Sequence, residues 1–161
     1  SITGYPATSL PRVSTTLAKQ LALYVIIHSP LQMASDFIEN YEKHPEAFEF
    51  IKNVPVNWDT TIVLNGEIEQ FLTIARKDKN SDNWYIGGIT NEESRTLQID
   101  LSFLNEGSYV ARIYADGDSA DWESNPLDYK IFEKVVSKGE SVTMKLANGG
   151  GQAIELEKVK D

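Results

Sequence analysis

From Trp58 onward, short segments of alternating apolar and polar residues, or of β-branched and aromatic residues, follow one another to the end of the chain. They occupy residues 60–64, 69–76, 83–90, 95–103, 108–115, 128–136, 141–146 and 152–159. A period of two is typical of a half-buried strand, because successive side chains point to opposite faces of the sheet. Turn-forming residues such as Asn65-Gly66 and Asn105-Glu106-Gly107 separate the segments. With no helical pattern between them, these strands predict an antiparallel β-sandwich or barrel with Greek-key connections.

The first third of the chain has a different pattern. Its densest apolar run, residues 21–27, is followed by Ser29-Pro30 and a second apolar piece at 31–34. The run is far shorter than the ~20 residues of a membrane span, so it predicts a buried core helix over residues 14–28, capped by Ser14 or Thr15. A buried strand is predicted at 31–35, and a second helix within 39–53 has Pro45 in its first turn. A buried helix that leads into a buried strand is typical of an α/β layer structure. We therefore predict two parts, residues 1–56 and 57–161.

Charge and composition narrow the classes of partner. The net charge of -9 and the pI near 4.7 argue against binding to nucleic acid or to an anionic membrane surface. The absence of cysteine excludes disulfides, cysteine-ligated zinc and a cysteine nucleophile from this sequence. The sequence begins with Ser1 and has no signal segment at its start, which favours an excised or processed piece over a complete gene product.

Several segments resemble, in order, the carboxyl-terminal end of glycoside hydrolase family 97. They read TTLAKQLALYVIIHSPLQMASD, PEAFEFIKNVPVNWD, FLTIARK and NWYIGGITNEESRTLQIDLSFLNEGSYVARIYADG. The resemblance implies a bacterial exo-acting α-glucosidase or α-galactosidase of polysaccharide utilisation, with an amino-terminal β-sandwich, a (β/α)8 barrel and a carboxyl-terminal β-sandwich. On this interpretation residues 1–56 are a short α/β remnant of the barrel, and residues 57–161 are the carboxyl-terminal sandwich.

The resemblance also implies where catalysis occurs. Glycoside hydrolysis uses two carboxyl groups, which in a barrel lie at the carboxyl ends of different strands. The catalytic and calcium-binding glutamates of the family lie upstream of this sequence, so we assign no catalytic residue and no metal ligand here. The resemblance implies calcium in the parent enzyme, an α-linked oligosaccharide as substrate, the rest of the barrel as partner, and a periplasmic or secreted location.

Two residues are candidates for contact with a sugar. Asp36 ends the predicted last barrel strand, at the edge where barrel active sites form, although an aspartate there also suits a helix cap. Trp122 lies in an acidic loop, where its ring has the chemistry to stack on a sugar. The other tryptophans, Trp58 and Trp84, are weaker candidates, and Trp84 is predicted to be a core residue because it lies in an apolar strand.

Other motifs favour structural roles. The segment DGDSADWES contains Asp116, Asp118, Asp121 and Glu123, but it lacks the ligand order of an EF-hand, so we predict a solvated loop that packs on the barrel. His28 and His44 have no second ligand at metal spacing. Glu92 and Glu93 are predicted to be solvated. The three glycines at 149–151 are predicted to form a flexible turn, because no phosphate-loop pattern surrounds them.

Three functional hypotheses follow from the sequence. The first is a non-catalytic carboxyl-terminal part of an α-glycosidase that braces the barrel. The alternatives are a free-standing carbohydrate-binding β-sandwich and a plain interaction domain. A further hypothesis is self-association, because apolar residues of the first helix would lose their barrel neighbours. They would then form an exposed patch, or pack one face on the sandwich and leave the other face bare. The residues concerned are Leu17, Leu21, Leu23, Tyr24, Val25 and Ile27.

Overall fold

The computed structural model describes residues 15–27 and 43–160. These residues form two helices and eight strands. In chain order they are α1 (Leu17–Ile26), α2 (Pro45–Asn53), β1 (Trp58–Glu67), β2 (Phe71–Asp78), β3 (Trp84–Thr90), β4 (Arg95–Asp100), β5 (Ser108–Asp116), β6 (Tyr129–Ser137), β7 (Ser141–Leu146) and β8 (Gly151–Lys158). The predicted strand at 31–35, together with His28 and Asp36, lies outside the described residues.

The strands form two antiparallel sheets, as the alternating sequence predicted. Six strands are arranged in the order β1-β2-β3-β8-β5-β6, and β4 and β7 form a separate pair. The last strand inserts between β3 and β5, neither of which precedes it directly in sequence, so the connections cross between the sheets in the manner of a Greek key. The predicted antiparallel β-sandwich is confirmed, and two short helices precede it where the sequence predicted a short α/β remnant.

The space between the two sheets holds the larger apolar core. Residues of β7 alternate between exposed and buried, and its inward side chains are Val142, Met144 and Leu146. Trp84 is 5% exposed and packs on Phe103 with ring centroids 4.8 Å apart, which confirms it as a core residue. Burial of these side chains supplies the main driving force that holds one sheet on the other.

A second core lies on the outer face of the six-stranded sheet, where both helices pack. In α2, the ring of Phe50 lies 4.9 Å from Tyr114 and 6.2 Å from Tyr85, with edge-to-face geometry in both pairs. The full cluster of buried residues is Leu17, Leu21, Tyr24, Val25, Ala47, Phe50, Tyr85, Tyr114 and Ala153. Helices and sandwich therefore share one apolar cluster. The predicted boundary between residues 56 and 57 stays a prediction.

The first helix begins later than predicted. Thr16 is its N-cap, with an extended backbone (φ -77°, ψ 163°) and a side-chain oxygen that accepts the Lys19 N–H at 3.2 Å. Thr15, one of the two predicted caps, precedes it, and Ser14 lies outside the described residues. In α2, Pro45 occupies the first turn as predicted, where its missing N–H costs no helical hydrogen bond.

The helix does not expose the apolar patch that the sequence suggested. Leu17, Leu21, Tyr24 and Val25 are at most 2% exposed because they pack on the sheet, whereas Ile27, just past the helix, is 41% exposed. Of the two expected arrangements, the structure shows the one in which a face of α1 packs on the sandwich, while Leu23 stays partly exposed. Neither of the described helices has the length and apolar character to cross a membrane.

Candidate interaction site at the helix–sandwich junction

The amino terminus of α1 is held by two loops of the sandwich. The Thr16 N–H donates to the carbonyl of Gly149 at 3.1 Å, and the Leu17 N–H donates to the carbonyl of Pro126 at 2.8 Å. Gly149 belongs to the β7–β8 connection and Pro126 to the β5–β6 connection. Because the first N–H groups of a helix have no partner within the helix, the sandwich acts as part of its cap.

Asp116 holds the β7–β8 connection in place beneath α1. It ends β5, is 5% exposed, and its Oδ2 accepts the backbone N–H groups of Ala147 at 2.8 Å and Gly151 at 3.0 Å. Burial raises the pKa of this carboxyl, while hydrogen bonds from the Thr16 side chain and from the two N–H groups act in the opposite direction. The sequence placed Asp116 in a solvated loop, which is wrong, because this carboxylate is the buried acceptor that fixes the β7–β8 connection beneath α1.

The other acids of this segment point elsewhere. Asp118 is 94% exposed at its side chain and pairs with Lys130 at 3.1 Å. Asp121 accepts the N–H groups of Ser124 and Glu123, and hydrogen bonds, that of Ser124 foremost, lower its pKa. In the described part of the chain no three histidine or acidic side chains converge on a site that would hold a metal ion.

Trp122 packs on the β7–β8 turn, whose Gly149 carbonyl accepts a hydrogen bond from the start of α1. Its backbone N–H donates to the carbonyl of Asn148 at 3.1 Å, and its side chain is half-buried over Gly149. Gly149 has a φ of +63°, and a Cβ there would lie 2.6 Å from the Cβ of Trp122. The predicted turn is present, with the Gly150 N–H bonded to the Ala147 carbonyl, but residues 149–151 are all buried. Sugar binding by Trp122 stays a prediction.

Lysine and arginine side chains hold α1 along the sheet. Lys19 Nζ donates to the carbonyl of Thr90 at 2.7 Å, and burial lowers its pKa while Glu92 and Asp116 raise it. At the other end, Arg76 is 4% exposed and its Nη2 donates to the carbonyl of Ile26 at 3.2 Å. A cation suits the carboxyl terminus of a helix, where the helix dipole is negative. Arg76 was not singled out from the sequence, although a cation inside an apolar strand was a usable signal.

Tyrosines of the sheet hold α2 in a similar way. The Tyr85 hydroxyl donates to the carbonyl of Asn53 at 3.1 Å, and the Tyr129 hydroxyl donates to Glu46 at 2.7 Å. Burial, followed by the Glu46 contact, raises the pKa of Tyr129 to about 12. Both helices are thus joined to the outer face by polar contacts as well as by the shared core. His44 contacts the edge of the Tyr129 ring at 5.2 Å, which fits the structural role predicted for it.

Several surface cavities lined by described residues lie around this junction. One of about 670 Å³ lies beside β6 and includes Lys130 and Phe132, and one of about 620 Å³ lies by the β1–β2 hairpin and includes Val63 and Ile68. The third, about 250 Å³, collects carboxylates near Arg112. There, burial raises the pKa of Glu155, and the neighbouring carboxylates add to this effect.

Comparison with known proteins connects this arrangement to one family. The family model described as "Glycosyl-hydrolase 97 C-terminal, oligomerisation" matches residues 57–157. A retaining α-galactosidase of Bacteroides thetaiotaomicron is 38% identical over 152 residues, which span 94% of this chain and 22% of that protein. A probable retaining α-galactosidase of Streptomyces bingchenggensis is 27% identical over 136 residues, 84% of this chain and 20% of that protein.

Solved structures agree with the sequence relatives. A glycoside hydrolase family 97 enzyme from Pseudoalteromonas sp. strain K8, in complex with acarbose, superposes with a TM-score of 0.83 and 40% identity. The superposition covers 91% of this chain and 23% of that enzyme. The chain thus spans about a fifth of the length of the curated relatives that it matches.

Proposed function

The chain belongs to glycoside hydrolase family 97, of which it is a carboxyl-terminal region, and we propose that it braces the catalytic barrel of the enzyme and joins copies of the enzyme to one another. The bracing part of this proposal rests on one observation. Both helices that precede the sandwich share a buried cluster with its outer face, so displacing them would expose Tyr85, Tyr114 and Ala153. A sandwich linked in this way restrains the part of the enzyme to which the two helices are joined.

The joining part of the proposal is supported by the family description, which assigns oligomerisation to this domain. The first helix offers little apolar surface for self-association, because Leu17, Leu21, Tyr24 and Val25 are buried. The sandwich surface remains as the site of contact. A free-standing sugar-binding module is less well supported, since such a module has no need of two helices fixed at both ends to its sheet.

The activity of the whole protein is part of the proposal. Two curated relatives are named as retaining or probable retaining α-galactosidases, and a structural relative was solved with acarbose. We therefore propose that the whole protein hydrolyses terminal α-galactosides or α-glucosides, with calcium held by its barrel, in the periplasm or outside the cell. In this proposal Asp36 lies near the sugar pocket of the assembled barrel, while the reacting carboxylates lie in the rest of the barrel.

A hydrolysis assay tests the non-catalytic role of this chain. Purified chain is incubated with aryl α-galactoside and aryl α-glucoside, with and without calcium, beside a family 97 enzyme that contains the barrel. We expect no turnover from the chain, because an unassisted glycosidic bond has a very high barrier and needs two placed carboxyl groups. Turnover that persists through repurification and is lost on mutation of a carboxylate in this chain would refute the proposal.

A further inference from the structure

The two edges of the six-stranded sheet are built differently. At one edge, β1 pairs with β2 through two register shifts, one between Trp58 and Thr60 and one between Val63 and Asn65. At the other edge, β6 pairs with β5 over nine consecutive residue pairs without a shift. Bulges and twists protect an edge from pairing with another chain, so β6 is the less protected of the two.

The edge formed by β6 also carries exposed apolar side chains on both faces. Phe132 is 42% exposed and lies opposite Ile113 of the inner core, whereas Val135 is 64% exposed and faces the outer side with Val110. A strand added beside β6 would cover both side chains at once. Lys130, Glu133 and Lys134 of the same strand carry charges of both signs.

We propose that β6 pairs antiparallel with β6 of a second copy, about a two-fold axis at Ile131, and so joins two six-stranded sheets into one. The proposal rests on the self-association proposed above and adds the surface and the register. A two-fold contact is self-complementary, because each copy presents the same strand to the other. The backbone groups on the free edge of β6 then gain hydrogen-bond partners.

Charge repulsion excludes several of the alternative registers. Residues directly opposite each other in an antiparallel pair lie on the same face, so each axis position fixes every opposing pair. An axis at Phe132 places Lys130 opposite Lys134 of the other copy. Axes at Glu133 and Lys134 place each of those charges opposite itself, and like charges directly opposite each other are destabilising.

An axis at Ile131 avoids every such clash. It places Lys130 opposite Phe132 of the second copy within the strand. It also brings Asp128 and Leu127, which directly precede β6, next to Lys134 and Val135, and Leu127 is 37% exposed. An axis at Val135 also avoids like charges and, like the axis at Ile131, pairs five residues within β6. It places Ile131 opposite Gly139 and Phe132 opposite Lys138, so fewer apolar side chains meet across that axis.

The cavity beside the β1–β2 hairpin is the rival docking surface. It offers Val63, 63% exposed, and Ile68, 91% exposed, but Glu67 and Glu69 border it. Two copies docked there would bring these acids together in a chain whose net charge is already -9. Electrostatic repulsion therefore favours the β6 edge over this cavity.

The first test compares matched lysine substitutions on the two surfaces. Sedimentation and light scattering are measured over a range of concentrations for the unmodified chain, Phe132→Lys and Val63→Lys, with thermal melts to show that each is folded. We expect the unmodified chain and Val63→Lys to approach twice 18.0 kDa, and the dissociation constant of Phe132→Lys to rise at least about tenfold, because its lysine lies opposite Lys130.

The outcomes of this test separate the two proposals. A chain that stays monomeric at every concentration would refute self-association and the interface together. Dimers that Val63→Lys abolishes and Phe132→Lys preserves would leave self-association standing and overturn the β6 interface.

A second test fixes the register by single cysteines. The chain has no cysteine, so Ile131→Cys introduces a lone thiol that meets its own copy across the axis. Opposite Cβ atoms in such a pair lie about 4.5–5.5 Å apart, close to the range a disulfide accepts. Mild oxidation should give a covalent dimer with Ile131→Cys and much less with Phe132→Cys. The reverse result, or equal slow crosslinking by both, would overturn the axis at Ile131.

Discussion

At the scale of single residues, Asp116 fixes the connection between β7 and β8. One buried oxygen of its side chain satisfies two backbone N–H groups that belong to the loop beneath α1. Its other oxygen has no hydrogen-bond partner among the described residues. A neutral side chain that keeps an acceptor in the same place would meet the same demands without a buried charge.

This geometry predicts different results for two substitutions. Asp116→Ala should lower the free energy of unfolding by about 1–3 kcal/mol for each N–H group left without an acceptor. Asp116→Asn should be much milder, because its amide oxygen can replace Oδ2. Denaturant unfolding measures both, with Asp118→Ala as the control, since that exposed carboxylate should matter by less than about 0.5 kcal/mol. Equal losses for alanine and asparagine would contradict this role of Asp116.

The half-buried carboxyl of Glu155 predicts that the free energy of unfolding depends on pH. Burial and the nearby Glu157 and Glu133 raise its pKa, while Asn53 and Arg112 oppose them. The folded state therefore holds this proton at pH values where the unfolded chain has lost it. Stability contributed by the protonated group is lost as the pH rises from about 4.3, the ordinary value, through the raised pKa.

Substitution by glutamine isolates this effect. Relative to the unmodified chain, Glu155→Gln should become progressively more stable between about pH 4 and pH 7, as measured by thermal melts at each pH. The exposed Glu123→Gln serves as the control for replacing a glutamate by glutamine. A difference for Glu155→Gln that is constant with pH, or that shrinks as the pH rises, would show that the pKa of Glu155 is not raised.

At the scale of elements, the contact between α1 and β3 depends on the absence of a side chain. Gly87 lies in the middle of β3, and a Cβ there would be 2.5 Å from the carbonyl oxygen of Ala22 and 3.1 Å from Val25. Glycine inside a strand weakens the strand but allows another backbone to approach closely. The helix therefore lies directly on the sheet at this point.

An alanine at this position should push the helix away. Gly87→Ala is expected to cost about 1–3 kcal/mol of stability through overpacking, because the neighbouring atom belongs to the backbone and cannot rotate aside. Gly139→Ala is the matched control, since a Cβ there meets nothing within 4 Å. It should be neutral or slightly stabilising. Equal melting temperatures for the two variants would contradict the close contact.

Strands and helices that depend on local sequence patterns were predictable from the sequence, whereas contacts between distant segments were not. The strands followed from alternation and turn residues, and Trp84 was placed in the core because its neighbours are apolar. Asp116 was misplaced because its partners, Ala147 and Gly151, lie more than thirty residues away. The apolar character of the first helix predicted that it is buried, but not that it packs on the outer face of the sandwich. Gly87 marks its contact with β3, but a glycine inside a strand is equally compatible with a bulge or a bend.

At the scale of the whole molecule, we expect the two helices and the sandwich to unfold as one unit. The proposed bracing role depends on this cooperativity, since a sandwich can restrain a barrel only through segments that it holds firmly. The shared apolar cluster, the two N–H groups capped by sandwich loops, and Arg76 at the other end of α1 all support it.

Amide hydrogen exchange on the full chain tests this cooperativity most directly. Elements that open only by global unfolding exchange with the same free energy. We predict that the amides in the middle of α1, such as Tyr24, exchange as slowly as those of β8, such as Ile154, and that Asp116→Ala speeds exchange in α1. Exchange in α1 that is orders of magnitude faster than in β8 in the unmodified chain would show that the helix is loosely attached, and would contradict the bracing role.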